Sequence, residues 1–322
     1  MHVRFTLLML LLAGAGKVSA AQQPPPPVPT PVEVGVWFNG IHSIDVLDGS
    51  FGAEFYLWWI SPDPDFHPFE TLQVLNGRQW TSRAVSRRQL DDGNYHYSGN
   101  VSVTVNHDWD LYYYPFDRQK LSIVIETPFT ASEIRLIPNR RASVISEFVD
   151  VAGFDVVGFE LAEHLENYQT DFGFRDSRGR EFSRLTIELD LQRDRGRIVI
   201  AMLIGFLVAN LIALLTYAIH VSMLGIRATM VASAIFGAVG NMYFLNSQVH
   251  PAAGSLLIDL FAVGSFTAIL IALLNGIVVD RLFMWGRADV ARRLNRSVFG
   301  VVLVASAVFY ALAFHAATGG AS

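Results

Sequence analysis

Apolar residues along this chain fall into two regimes. From Glu33 to about Arg193 they alternate with polar ones, and from Ile198 onward they run together. In the first regime Phe51 to Ile60, Val101 to Val105, Leu121 to Glu126, Phe154 to Leu161 and Phe182 to Leu191 read as strands, because a period of two places one face in a core. Turn residues separate these runs: Asp48-Gly49, Asn76-Gly77, Asp91-Asp92-Gly93 and Ser177-Arg178-Gly179. Many short strands with no helical pattern between them predict a β-sandwich over 33–194.

In the second regime four uncharged or nearly uncharged runs follow: Ile198 to Ile219, Ala228 to Leu245, Leu256 to Val279 and Val298 to Ala317. Each is close to the ~20 residues a bilayer-spanning helix requires. The expected transmembrane domain is 195–322, with helices over about 197–219, 221–247, 254–280 and 297–317. The region between the third and fourth runs holds Arg281, Arg287, Arg292, Arg293 and Arg296, while Asn246 to Gly254 has no Lys or Arg. The positive-inside rule therefore puts the first of these regions in the cytoplasm and the second outside. Met1 to Ala20, with Arg4, an apolar stretch and Val18-Ser19-Ala20, reads as a signal peptide over 1–20. The proline-rich 21–32 reads as a linker. The expected address is a multi-pass protein of the bacterial inner membrane with its sandwich in the periplasm.

Composition removes several classes of function. Of 322 residues 52% are hydrophobic, and mean hydropathy is +0.34. There is no cysteine, so no disulfide, thiolate ligand or cysteine nucleophile exists. The nine histidines form no His-x-x-x-His or His-Glu-x-x-His pattern, and no phosphate loop or nucleophile elbow is present. No enzyme activity, cofactor, metal site or nucleic-acid partner is expected.

The second apolar run is the least greasy and its polar residues are ordered. Thr229, Ser233, Phe236, Gly240 and Tyr243 recur at helical spacing and share one face. Several such helices around an axis would line a wet pore, with hydroxyls at one end and rings of Phe236 and Tyr243 able to close it by dewetting. Small and hydroxyl residues also pack well between membrane helices, so the stripe alone leaves both readings open.

The segment Asp108 to Leu121, with Pro115-Phe116-Asp117 and Gln119, resembles the signature loop of pentameric ligand-gated ion channels, the Cys-loop receptor superfamily. His107 and Leu121 stand where the disulfide cysteines would be, as in the bacterial branch that lacks them and lacks the large cytoplasmic domain. Val34-Gly35-Val36, Phe55-Tyr56-Leu57-Trp58 and Glu181-Phe182-Ser183-Arg184 also resemble that branch. The resemblance implies a sandwich of about ten strands and a homopentamer whose pore is lined by the second helix. It also implies a small-molecule agonist bound between neighbouring sandwiches. Carried onto this chain, the ligand residues are Gln73, Glu126, Phe129, Tyr168, Phe172, Phe174 and Phe182, and the coupling residues are Phe116, Asp117, Arg193 and Pro251. Glu126 to Phe129 corresponds to one binding loop, and Asp117 with Arg193 to a partly buried ion pair. An aromatic box beside Glu126 suits an amine.

The permeant ion is open to two readings. Gly225-Ile226-Arg227 lacks the acid usual at a cation-selective mouth and partly matches the anion pattern. Against this, the segment Glu33 to Arg193 carries 25 Asp and Glu against 14 Lys and Arg, which favours cations. Protons are an alternative stimulus, with His250 and the acidic sandwich as candidates. A membrane-tethered binding protein without conduction is the alternative of a different class.

Overall fold

A computed structural model gives the architecture and describes residues 28–170, 173, 180–194, 196–247 and 255–319. The predicted signal peptide, most of the linker, Phe172, Phe174, His250 and Pro251 lie outside the described residues.

Ten strands come first: β1 (Thr30–Asp45), β2 (Ser50–Ser61), β3 (Gln73–Val74), β4 (Gly77–Gln89), β5 (Tyr95–Asn106), β6 (Arg118–Thr130), β7 (Ile134–Pro138), β8 (Val144–Ile145), β9 (Phe154–Asn167) and β10 (Glu181–Arg193). A one-turn helix, α1 (Pro68–Thr71), precedes β3. One sheet has the order β4-β5-β2-β1-β7 with β8 also on β1, and the other β3-β6-β10-β9. Strand β1 starts at Thr30, inside the segment read as linker, where it pairs in parallel with β7.

The alternation in sequence becomes the core directly. On β10, Leu185, Ile187, Leu189 and Leu191 are fully buried, and on β6 Leu121, Ile123 and Ile125 lie opposite them in register. Phe38, Phe51, Phe55, Leu57 and Trp59 supply the facing layer from β1 and β2. Each such side chain contributes about 1.5–3 kcal/mol by leaving water. Gly35 is paired with Trp58, and any side chain there would collide with the indole ring.

Four helices follow: α2 (Gly196–Leu215), continued by a 3₁₀ turn Thr216–Ala218, then α3 (Leu224–Asn246), α4 (Leu256–Met284) and α5 (Ala288–Gly319). All four are long and apolar enough to cross a membrane, which makes this a multi-pass membrane protein. Helices suit that solvent because every backbone bond is closed within the segment. Helix α3 packs on α2 and α4, and α5 packs chiefly on α4. Asn210 of α2 donates to Ser265 of α4 (2.7 Å) and to the Tyr310 hydroxyl of α5, which ties three helices together inside the bundle.

Helix α5 begins nine residues before the predicted 297. The supposed loop is a three-residue turn, Trp285 to Arg287. Gly286 sits at φ +73°, the Gly286 N–H bonds to the Phe283 carbonyl and the Arg287 N–H to the Leu282 carbonyl, both at 2.9 Å. This is a Schellman ending. The arginines do not stop α5, because they are good helix formers on an outward face while Ala291 and Leu294 pack on Val221 and Val279. A search for uninterrupted apolar runs misses an amphipathic first stretch of this kind.

Candidate functional site

Three places collect the residues singled out by sequence. The first is a cleft of about 540 Å³ at the edge of the second sheet, lined by Gln73, Glu126, Phe129, Tyr168 and Phe182 together with Leu75, Pro128, Thr130, Glu133 and Arg180. Five predicted ligand residues therefore meet in one cavity, although Gln73 and Phe182 are more than a hundred positions apart. Strand pairing brings them together. Glu126 on β6 lies opposite Gln73 of β3 on one side and Arg184 of β10 on the other. Glu126 to Phe129 are part of β6 and not a loop, because the β6–β10 ladder runs on to Thr130 and Phe182.

Glu126 is buried and anchors a chain of hydrogen bonds. The Tyr168 hydroxyl donates to its carboxylate at 3.1 Å, and Arg184 Nε donates to Oε2 at 3.3 Å. Arg184 also donates to the Tyr168 oxygen and to Glu166, each at 2.9 Å, and its guanidinium lies 5.8 Å from the Tyr168 ring centre. The Tyr168 and Phe182 rings meet edge to face, 5.5 Å between centres. Burial, and then the Glu126 charge, push the Tyr168 phenol up, so it stays protonated and keeps its donor role. Among the described residues, Glu126, Glu133 and Glu166 outnumber Arg180 and Arg184 at the cleft and its rim. Sequence reasoning gave Arg184 no role in the site. Its signal was the two-residue step from Phe182, which places both side chains on one face of β10.

The second place is the base of the sandwich. Arg193 at the end of β10 forms a two-pronged pair with Asp117, Nε to Oδ1 at 2.7 Å and Nη2 to Oδ2 at 3.0 Å. Both side chains are at least nine-tenths buried. Gln119 donates to the same carboxylate at 2.7 Å, and the guanidinium lies over the Phe154 ring at 4.2 Å and the Tyr114 ring at 4.9 Å. The loop carrying Asp117 touches the helices directly. The Leu256 N–H bonds to the Tyr112 carbonyl at 2.9 Å, Ser255 donates to the Tyr114 carbonyl at 3.1 Å, and the Phe116 ring meets the Phe314 ring of α5 edge to face at 5.4 Å. Contact with the end of α5 had no signal in the sequence.

His107 begins the same loop. Its ring packs edge to face on Trp109 (4.6 Å) and Phe51 (5.9 Å), and its Nε2 is buried without a partner among the described residues. Burial pulls its pKa below the usual 6.5, opposed only in part by Gln119 and Asp108. A folded-state pKa below the unfolded one stabilises the fold above about pH 6.5, and that stabilisation is lost as the pH falls through the folded value. The melting temperature is therefore expected to fall on acidification below about pH 6.5, and His107→Phe to flatten that part of the profile. Parallel profiles for the two proteins would reject the assignment.

No protein-family model matches this chain, and no curated protein matches it.

The third place is α3. Its packed face is Arg227, Val231, Ala234, Ala238 and Leu245, and the predicted stripe Thr229, Ser233, Phe236, Gly240 and Tyr243 is on the opposite, open side. Phe236 is 77% exposed and Tyr243 79%. Thr229 and Ser233 return their hydroxyls to the carbonyls one turn back, at 3.0 Å each. Arg227 does not join the stripe. It is 2% exposed, turned into the bundle, where Nη1 donates to Asn295 at 3.0 Å and Nη2 to the Ile219 carbonyl. Asn295 in turn donates to the Tyr217 carbonyl at 2.7 Å and accepts from Asn275 at 3.0 Å. The open face of α3 thus carries no charge.

Proposed function

We propose that this protein is the subunit of a homopentameric ligand-gated ion channel, with α3 lining the pore and an agonist at the edge of the sandwich. The observation that carries this reading is the open stripe on α3. This is the least apolar of the four helices, with a hydropathy of 1.5 against 2.3 to 2.9, and its hydroxyls, glycine and two rings face away from its own bundle. A ring of copies gives that face a common aqueous partner, which a lone bundle in lipid does not.

The direct contact of the Asp117 loop with α4 and α5 supports a path from agonist to pore. The burial of Arg227 supports cations. Its guanidinium is held by Asn295 and a carbonyl, so it lends the open face of α3 no positive charge. The acidic excess among the cleft's described residues and its rings support an amine agonist. Glu126→Gln should then weaken an amine agonist about tenfold, less than a lone carboxylate would, because Arg184 already offsets part of its charge. Dose–response curves measure this, and an unchanged midpoint removes Glu126 from the site. Gating by protons in the same channel has His107 in its favour, buried in the loop that meets the helices.

Purified protein in planar bilayers tests the whole reading. Current in response to amines or a pH jump is expected, with a reversal potential in asymmetric salt that follows the cation. A monomer in detergent, silent under both stimuli even with Phe236→Ala, would point to a tethered binding protein.

A further inference from the structure

Arg184 stands in the wall of the sandwich cleft and not in its lumen. It bonds to two lining residues, Glu126 and Tyr168, without lining the cavity itself. Each of its three guanidinium nitrogens is engaged: Nε with Glu126 at 3.3 Å, Nη1 with Glu166 at 2.9 Å and Nη2 with the Tyr168 oxygen at 2.9 Å. Its side chain is 19% exposed and that of Glu126 6%. The same guanidinium lies 5.8 Å from the Tyr168 ring centre. The carboxylate and the ring that an ammonium group would seek therefore already have a cation beside them. We propose that Arg184 is a resident competitor, the residue that sets how strongly this cleft tells a cation from a neutral molecule of the same shape.

The proposal rests on the amine reading of the cleft and deepens it. A cation entering from the lumen meets Glu126 as one member of an ion pair. Its attraction to the carboxylate and its repulsion from the guanidinium fall off alike with distance, so much of the first is cancelled. The wall is mostly closed to water, so neither force is well screened there. Arg180 differs, because it lies exposed on the rim, where water and salt weaken its field. Glu166 holds the far nitrogen of Arg184, and strand pairing sets Arg184 opposite Glu126, so the guanidinium is kept against the carboxylate. A purely supporting Arg184, one that only holds Tyr168 in place, makes the opposite forecast. Its removal would loosen the site and weaken every ligand, charged or not.

Calorimetric titration of the full-length protein with phenethylamine, and with its neutral counterpart phenethyl alcohol, separates the two roles and reads binding whether or not the protein conducts. Arg184→Gln is expected to tighten phenethylamine about tenfold and to leave phenethyl alcohol within about twofold. Arg184→Lys, which keeps the charge with fewer donors, should bind the amine like the unaltered protein. Removing Arg184 alone leaves Glu126 buried without its cation, which destabilises the fold. The double variant Glu126→Gln with Arg184→Gln takes both charges out together, and it should bind the amine at least about threefold more tightly than Glu126→Gln alone. Amine affinity that falls or stays level when Arg184 becomes Gln, in either background, overturns the proposal and leaves the amine cleft standing. A parallel loss of amine and alcohol does the same and marks Arg184 as a support. If neither the unaltered protein nor any variant binds the amine, the amine reading falls and this proposal with it.

Discussion

Replacing Arg193 by alanine is expected to destabilise the sandwich by about 3–5 kcal/mol, the usual loss when one partner of a buried pair is removed. The geometry puts this pair at the high end. Both prongs are made, both side chains are buried, and among the described residues Asp117 keeps only the Gln119 side chain once the guanidinium is gone. The two rings that sandwich the guanidinium, Tyr114 and Phe154, lose their cation as well. Urea unfolding followed by tryptophan emission measures the loss. A double-mutant cycle with Asp117→Ala separates the pair from its surroundings, because the coupling term is what the two single losses fail to add. A loss below about 1 kcal/mol for Arg193→Ala would place the pair with ordinary surface bridges. Replacing both residues by apolar ones of similar size should recover much of the stability, since the cost lies in the orphaned charge.

The second large effect is expected at Phe236. If five of these rings close the pore by excluding water, Phe236→Ala should raise the current seen without agonist at least about tenfold, a shift of ~1.4 kcal/mol towards the conducting state. The side chain touches little of its own bundle, so the change should leave melting nearly untouched. That pairing of a large functional change with a small stability change is the signature sought. Unaltered resting current together with unaltered agonist block would mean that α3 faces the axis with another side, such as that of Ile235 and Val239.

Much of the fold can be read along the chain because its two solvents write different periods. Leu185 to Leu191 alternate because one face of β10 meets the core, and α2 is continuous because all its sides are apolar. Strand β4 escapes this reading. It is an edge strand with arginines at 83, 87 and 88 and little buried surface, so pairing with β5 alone decides it. The early start of α5 escapes for a related reason, since its first stretch is half apolar and half cationic. In the candidate site, the family resemblance pointed to Glu126 and the rings, and the structure brings Gln73, Glu126, Phe129, Tyr168 and Phe182 to one cleft. The neutralising Arg184 depended on which strand lies beside β6, a long-range fact. The direction of Arg227 depended on the rotation of α3 against its neighbours, which a lone arginine near a helix start does not reveal.

The uncharged open face of α3 has a consequence for how such a pore would sort ions. A fixed ring of charge in a narrow mouth acts at contact range and tolerates concentrated salt. Here the preference would come from the acidic sandwiches at a distance, through a field that decays over about 8 Å at physiological ionic strength and about 3 Å in molar salt. Selectivity would then be a property of the medium as much as of the protein, sharp in dilute solution and fading as the electrolyte thickens.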